Sequence, residues 1–359
     1  MDKISEIRRL WRDRFNDSRN WMTNVFTRIY RDDEALVTPD DSGTGIVSML
    51  LLRHYSMVYR DTIMPAGYIY GAATARGVQG KGHMSHLIGE ALREACRRGD
   101  TIVALQPASR RLYGFYDRFG FATTFYIREE RYTARHRFTH DGAQYIIEKT
   151  GHDPAELAAA YRRLTSAREA TFLHTEDDFK TIMIDSELDN GCIVTARSVE
   201  SGDIVSMASA SASSDTISVR EIASTDDDAE AAVLDALSEL YPDRMTVVEA
   251  YPGGNSPVSI FSRGMARIVN VKALLETDAA ITPSLRQNIR VTDPIIPQNN
   301  AIFIIADGKV TVTDYDDKDV KVNLDVDIPV LTAIALSPSR TGEIFSLPTA
   351  RPFMSMMLS

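Results

Sequence analysis

Three glycines stand within six residues, Gly77, Gly80 and Gly82, in the stretch GAATARGVQGKGHMSHLIGEALREACRRG (residues 71–99). They separate a short apolar run ending at Thr74 from a segment in which Leu87, Ile88, Ala91, Leu92 and Ala95 fall at helical spacing. A junction of this kind gathers backbone N–H groups and the positive end of a helix dipole at one spot, which suits an anion. Gly80 and Gly82 leave the main chain unshielded there, and Lys81 and Arg76 add positive charge. The same spacing also serves a tight strand-to-helix turn that uses glycine for its dihedral angles alone. A P-loop is excluded, because Gly80-Lys81 is followed by Gly82 and no hydroxyl is supplied for magnesium. A dinucleotide site needs an acid at the end of the next strand, whereas Asp100 precedes one.

Downstream, LYGFYDRFGF (residues 112–121) supplies Tyr116. A phenol of pKa about 10 is protonated at neutral pH and can donate to a thiolate as it departs. Tyr116 equally reads as a packed aromatic of an amphipathic helix, beside Tyr113, Phe115 and Phe119. His83 and His86 open the preceding helix and read as surface or packing residues. Cys96 and Cys192 lack the paired spacing of a zinc or redox site and are expected to be reduced, buried thiols, with no metal in the protein.

The elements that would position these groups follow from patterning. Helices are predicted at Ile4–Phe15 and Asn20–Ile29, the second capped by Asp17 or Ser18. Strands are predicted at Thr44–Arg53, Ser56–Tyr59, Gly67–Thr74 and Thr101–Leu105, and helices at Met84–Arg98 and Ser109–Phe119, before an extended Phe121–Tyr132. After a polar connector (131–142), the same element order recurs without the same residues: helices at Asp153–Leu164, Thr175–Ser186 and Asp227–Tyr241 alternate with strands at Gly191–Ser198, Ile204–Ala212, Ile217–Ala223 and Met245–Ala250. This suggests a duplicated fold. The remaining block carries antiparallel strand patterns at Ser284–Thr292, Ala301–Ala306, Lys309–Thr313 and Val320–Leu324, a turn at Asp307-Gly308, and helices at Ile328–Ala335 and Thr341–Phe345. Its acids Asp293, Asp307, Asp314, Asp316 and Asp317 are expected to be solvated.

The loop resembles the coenzyme A pyrophosphate motif of the GNAT acetyltransferases, R/Q-x-x-G-x-G/A. Gln79, Gly82 and Met84 stand on its three fixed positions, and Met84 replaces the usual glycine or alanine. FYDRFGF resembles the family's Y-x-x-x-G-F segment. MLLLRHYSMVYRDTIMPAGYIYGAAT and the 107–121 segment further resemble the enhanced-intracellular-survival branch. That resemblance implies an α/β (α+β) chain: a catalytic GNAT domain at 1–132, a degenerate GNAT-like domain at 133–264 and a sterol-carrier-protein-like domain at 265–359. It implies acetyl-CoA as co-substrate and a primary amine (aminoglycoside, polyamine or lysine-like, as a small molecule or in a peptide) as acceptor. It also implies a cytoplasmic homo-oligomer, with a hexamer as family precedent. By the same resemblance, the main chain of Ala72, Ala73 and Thr74 faces the pantetheine, while Gln79, Gly80, Lys81, Gly82, His83, Met84 and Ser85 cradle the pyrophosphate. Tyr116 becomes the general acid and the terminal carboxylate of Ser359 the base. Where a second working copy would need its glycine loop, the chain reads ASTDDDAEAAVLDAL (223–237), whose acids repel phosphate, so one coenzyme site per chain is expected. The alternative reading is a lipid- or small-molecule-binding protein that uses the last domain beside a vestigial enzyme.

Composition agrees with a globular protein of two or three domains. Forty basic and fifty acidic side chains among 359 residues give a formal charge of −10, which disfavours nucleic acid. No apolar run is long enough to span a bilayer, so no membrane partner is expected.

Overall fold

The chain opens with α1 (Lys3–Arg14), which buries Ile7, Leu10 and Trp11, and α2 (Arg19–Asn24), whose first turn is capped by the Ser18 side chain accepting from the Trp21 N–H. The computed structural model describes residues 2–252, 259–354 and 357. β1 (Ala35–Pro39) then pairs with β2 (Ile46–Tyr59), which forms a long antiparallel hairpin with β3 (Thr62–Thr74). The expected separate strand at 56–59 is the end of β2: alternating burial of Tyr55, Met57 and Tyr59 carries the pleat through without a break. α3 (His83–Arg97) crosses to β4 (Ile102–Leu105), which runs parallel to β3, and α4 (Arg110–Asp117) leads to β5 (Ala122–Tyr132).

A second copy of this order follows. β6 (Tyr145–Glu148), α5 (Pro154–Leu164), β7 (Ala170–Leu173) and α6 (Glu176–Leu188) precede three antiparallel strands, β8 (Gly191–Ser198), β9 (Ile204–Ala212) and β10 (Thr216–Ser224). α7 (Asp227–Leu240) then crosses to β11 (Met245–Ala250), parallel to β10 as β4 is to β3. The last region contributes β12 (Ser259–Ile268), α8 (Val271–Ile281), β13 (Gln287–Thr292), β14 (Ala301–Ala306), β15 (Lys309–Thr313), β16 (Leu324–Asp327), α9 (Ile328–Ala335), α10 (Ser339–Phe345) and β17 (Pro352–Phe353).

The two copies share one mixed sheet in the order β17-β7-β2-β3-β4-β12-β5-β11-β10-β9-β8-β6, with β1 on β2. The copies meet directly where β5 pairs antiparallel with β11, and two further strands, β7 and β12, tie the sheet together. β7 pairs with β2 of the first copy, and β12 inserts between β4 and β5. The 264/265 division therefore falls inside β12, and the 132/133 division at the end of β5. The four-stranded sheet β15-β14-β13-β16 is antiparallel except at its β13–β16 pair, which is parallel. That departs from the all-antiparallel expectation because β16 returns after a long 314–323 loop instead of a tight hairpin. The Asp307-Gly308 turn does form, with φ of +53° and +71°. Asp293 departs further: its side chain is fully buried against Arg267 instead of solvated. Cys96 and Cys192 are free and half-buried, and burial raises both thiol pKa values. Among the described residues no helix is long and apolar enough to cross a membrane.

Candidate active site

β3 and β4 pair only from Ala66↔Ile102 to Ile69↔Leu105. Residues 70–74 of β3 run on with β2 alone as partner, and the register shift between Met49 and Leu51 bends them. A wedge is left open beyond Leu105. α3 begins at its mouth, with Gly82 as N-cap at φ +89° and no side-chain hydrogen bond to the first turn. Gly80 is also left-handed, at φ +79°, and a β-carbon built on either glycine would have no heavy atom within 4 Å. Nothing packed against these glycines demands their smallness, so their bare backbone faces open space in front of an uncapped helix.

The cleft that results has a volume of about 790 Å³, inside the range of small-ligand sites. Ala72, Ala73 and Thr74 from β3, Gln79, Gly80, Gly82, His83, Met84 and Ser85 from the loop and α3, and Tyr116 from α4 all line it. Of the residues expected in the cradle, Lys81 is the one that does not: it is exposed at the loop's crest. His86 turns away to pair with Glu90 at 3.1 Å. Ser359 lies outside the described residues.

Other lining residues were not anticipated. Arg14 and Phe15 arrive from the end of α1, and Ser109, Arg111 and Arg118 from the ends of α4. The Nε of Arg14 is buried without a hydrogen-bond partner among the described residues. An orphaned cationic donor beside an uncapped helix suits a phosphorylated ligand, because both lack an acceptor that such a ligand would bring. The doublet Arg110-Arg111 was visible in the sequence as a basic patch, but Arg14 and Phe15 lie too far along the chain for any local pattern to reveal.

Tyr116 is 7% exposed, with its ring edge-on to Phe115 at 5.2 Å and to Phe121 at 5.8 Å. Burial pushes its pKa up to about 12. No described residue hydrogen-bonds its hydroxyl, so a phenol held in its neutral form borders the cleft.

A polar and aromatic cluster continues from Phe15. Its ring lies 4.7 Å from Trp11, which is 5.5 Å from Tyr70 and 6.1 Å from Trp21. The indole of Trp11 donates to Asp17 at 2.6 Å and that of Trp21 to Asp185 at 2.5 Å. The Tyr70 hydroxyl is buried without a partner among the described residues. Asp185, with Ser186, Asp189, Ser209, Ser211 and Met357, lines a further cavity between α6 and the sheet. Burial raises the pKa of Asp185, and the nearby Asp189 and Asp17 add to that rise.

The second copy keeps the geometry and closes the site. β10 pairs with β11 only from Thr216 to Val219, then shifts register against β9 between Val219 and Glu221. Asp226 caps α7 by accepting from the Ala229 N–H at 2.9 Å, and Asp228 accepts from Tyr145 Oη at 2.9 Å. Glu221 is fully buried at the register shift with Arg168, whose guanidinium stacks 4.6 Å from the Phe353 ring.

Residues 1–124 match the family model described as an acetyltransferase (GNAT) domain. No curated protein sequence matches the chain. Among solved structures, a probable N-acyltransferase from Enterococcus faecalis V583 superposes with a TM-score of 0.77 at 16% identity, over 97% of this chain and 92% of that one. A GCN5-related N-acetyltransferase from Anabaena variabilis gives 0.75 at 16% identity, over 99% and 97%. Eis1 from Mycobacterium abscessus gives 0.72 at 16% identity, over 98% and 92%. At such identities the likeness establishes the fold, here over nearly the full length of all three. The first third of the chain thus matches a GNAT acetyltransferase domain, and the protein is an acyltransferase-class enzyme.

Proposed function

We propose that the protein is an N-acetyltransferase that moves an acetyl group from acetyl-CoA to a primary amine by direct attack within a ternary complex. The observation that carries this reading is the uncapped N-terminus of α3 behind Gly80 and Gly82, in one cleft with the protonated phenol of Tyr116. The amides of Gly80, Gly82, His83, Met84 and Ser85, aided by Arg14, would hold the diphosphate. The free main-chain edge of Ala72, Ala73 and Thr74 would take the pantetheine amides. The bound thioester supplies an activated acetyl group. Tyr116 would then hand its proton to the departing sulfur, which is a fair leaving group and needs modest help.

The acceptor side supports a cationic amine. Trp11, Trp21 and Tyr70 pack beside Asp17 and Asp185, and Asp185 and Asp189 both line the neighbouring cavity, where their carboxyl groups would attract an ammonium group. For the base we propose the terminal carboxylate of Ser359. The tail approaches this side: β17 pairs with β7, Met354 packs close to Gly264, and Met357 lines the cavity of Asp185. An α-carboxylate of pKa about 3.3–3.7 is a weak base, so its part would be to hold the amine or act through a water. We further propose that the chain works as a homo-oligomer, read out by its mass in solution. The alternative ligand-binding role of the last region gains no support, since Ile289, Val291, Phe303, Ile305, Leu331 and Ile334 are spent in one packed core.

The decisive experiment is thiol release from acetyl-CoA against a panel of polyamines, aminoglycosides and lysine peptides. Release that depends on one amine class supports the reading; release with none of them overturns it. Deleting residues 357–359 is expected to lower turnover, and unchanged turnover would remove the base from the proposal.

A further inference from the structure

Arg267 sits on β12, the strand that the last region inserts between β4 and β5, and its side chain is fully buried. Nothing in the proposed chemistry uses it. Its three nitrogens nevertheless donate to three separate acceptors. Nε donates to the carbonyl of Phe119 at 2.7 Å, Nη1 to the carbonyl of Ile268 at 3.3 Å, and Nη2 to Asp293 Oδ1 at 2.6 Å. Phe119 stands three residues after Tyr116, in the turn that closes α4, and the Phe119 N–H donates to the Tyr116 carbonyl at 2.9 Å. The guanidinium therefore holds the turn that closes α4, one hydrogen bond away from Tyr116.

Asp293 is anchored equally firmly on the other side. It accepts from the N–H groups of Ile295 and Ile296 at 2.9 and 3.0 Å, and from Asn299 Nδ2 at 2.8 Å. Asn299 in turn accepts from the Val271 N–H at 3.1 Å and donates to the Val269 carbonyl at 3.2 Å. Ile296, fixed by this turn, packs in the same apolar cluster as Tyr116, Phe121 and the α3 residues Leu87 and Ile88. Gly120 completes the fit: a β-carbon there would stand 2.7 Å from Ile328 Cγ2 and 3.0 Å from Arg267 Nε. A larger residue would push the guanidinium off the Phe119 carbonyl.

A buried ion pair contributes little net stability over an apolar pair of the same volume, because desolvation offsets the attraction. Its directional bonds do specify position. We infer that Arg267 and Asp293 are positioning residues for acyl transfer: the last region of the chain holds α4, and with it the Tyr116 hydroxyl, in register with the cofactor helix α3. This rests on the acetyltransferase reading above. The last region is on this account a part of the active site's frame.

The test uses the full chain with R267K and D293N. Lysine keeps the charge beside Asp293 but has one nitrogen, which cannot also hold the Phe119 and Ile268 carbonyls. Well below each variant's melting temperature, kcat is expected to fall about tenfold to a hundredfold while KM for acetyl-CoA stays within about twofold, since displacement of a catalytic group costs rate before it costs cofactor affinity. A second readout does not need turnover: 3-fluorotyrosine placed at position 116 should change its ¹⁹F shift and its titration in R267K. A folded R267K with unchanged kcat, or with an unchanged ¹⁹F shift and titration, overturns the inference. If the unaltered enzyme acetylates no amine, the functional proposal falls; a moved ¹⁹F signal in R267K still upholds the positioning, and an unmoved one removes it as well.

Discussion

In the proposed mechanism Tyr116 and Gly82 carry separable parts of the chemistry, and single substitutions should separate them. With its pKa raised to about 12 by burial, Tyr116 stays protonated across the usual assay range, so no alkaline loss of rate below about pH 11 should come from its ionisation. Tyr116→Phe is expected to lower kcat by about tenfold to a hundredfold, at the modest end of general-acid effects because thiolate leaves readily, with KM for acetyl-CoA nearly unchanged. Steady-state kinetics in the thiol-release assay measure both; an unaltered kcat would return the ring to a packing role. Gly82→Ala should do the reverse. At φ +89° an alanine is strained by about 1 kcal/mol, yet no neighbour crowds it. Thermal stability should therefore fall only slightly, while KM for acetyl-CoA rises several-fold as the new methyl enters the cradle. A large loss of melting temperature with unchanged KM would mark the glycine as a turn residue only.

The β2–β3 hairpin is tied at its tip to α8, and that link should make stability depend on pH. Asp278 on α8 is buried, accepts from Tyr59 Oη at 3.1 Å, and lies 3.6 Å from Arg60 Nη1. Burial outweighs both partners and raises its pKa to about 7. Because the folded protein binds this proton more tightly than the unfolded chain, whose carboxyl titrates near pH 3.9, the contribution is full below about pH 4. It is lost as pH rises through about 7. Asp278→Asn should flatten that slope, by on the order of 2–4 kcal/mol between pH 4 and 8, in urea denaturation at several pH values. Equal slopes in both proteins would show that Asp278 titrates normally. Other elements differ in how much of this the sequence discloses. The hairpin, α3 and α4 are legible because their apolar residues repeat locally at period 2 or 3.6. β12 is not, since SIFSRGMARI carries two arginines and a glycine, and Arg267 belongs in a core only because Asp293 meets it there. β7, four residues long, becomes a strand through pairing with β2, a contact no window of sequence contains. The cleft was legible to the same extent: the loop and Tyr116 are local motifs, whereas Arg14 and Phe15 reach it only by the packing of α1.

At the scale of the whole molecule, the two copies use one sheet geometry for opposite ends. Both split a parallel strand pair beside a register shift, β3 from β4 and β10 from β11, and both aim a helix at the split. In the first copy the helix end is bare and the wedge open. In the second, Asp226 satisfies the helix and the Arg168–Glu221 pair, covered by Phe353 from the C-terminal tail, lies at the register shift. An anion approaching α7 would meet Asp226, Asp227 and Asp228 before any amide. Calorimetry should therefore give one coenzyme A bound per chain. Removing the cap with Asp226→Ala should cost about 1 kcal/mol of stability without raising that stoichiometry, because Glu221 and Arg168 remain in place. A second equivalent of coenzyme in either protein would mean that the plug opens, and the tail that covers it would then have to move as well.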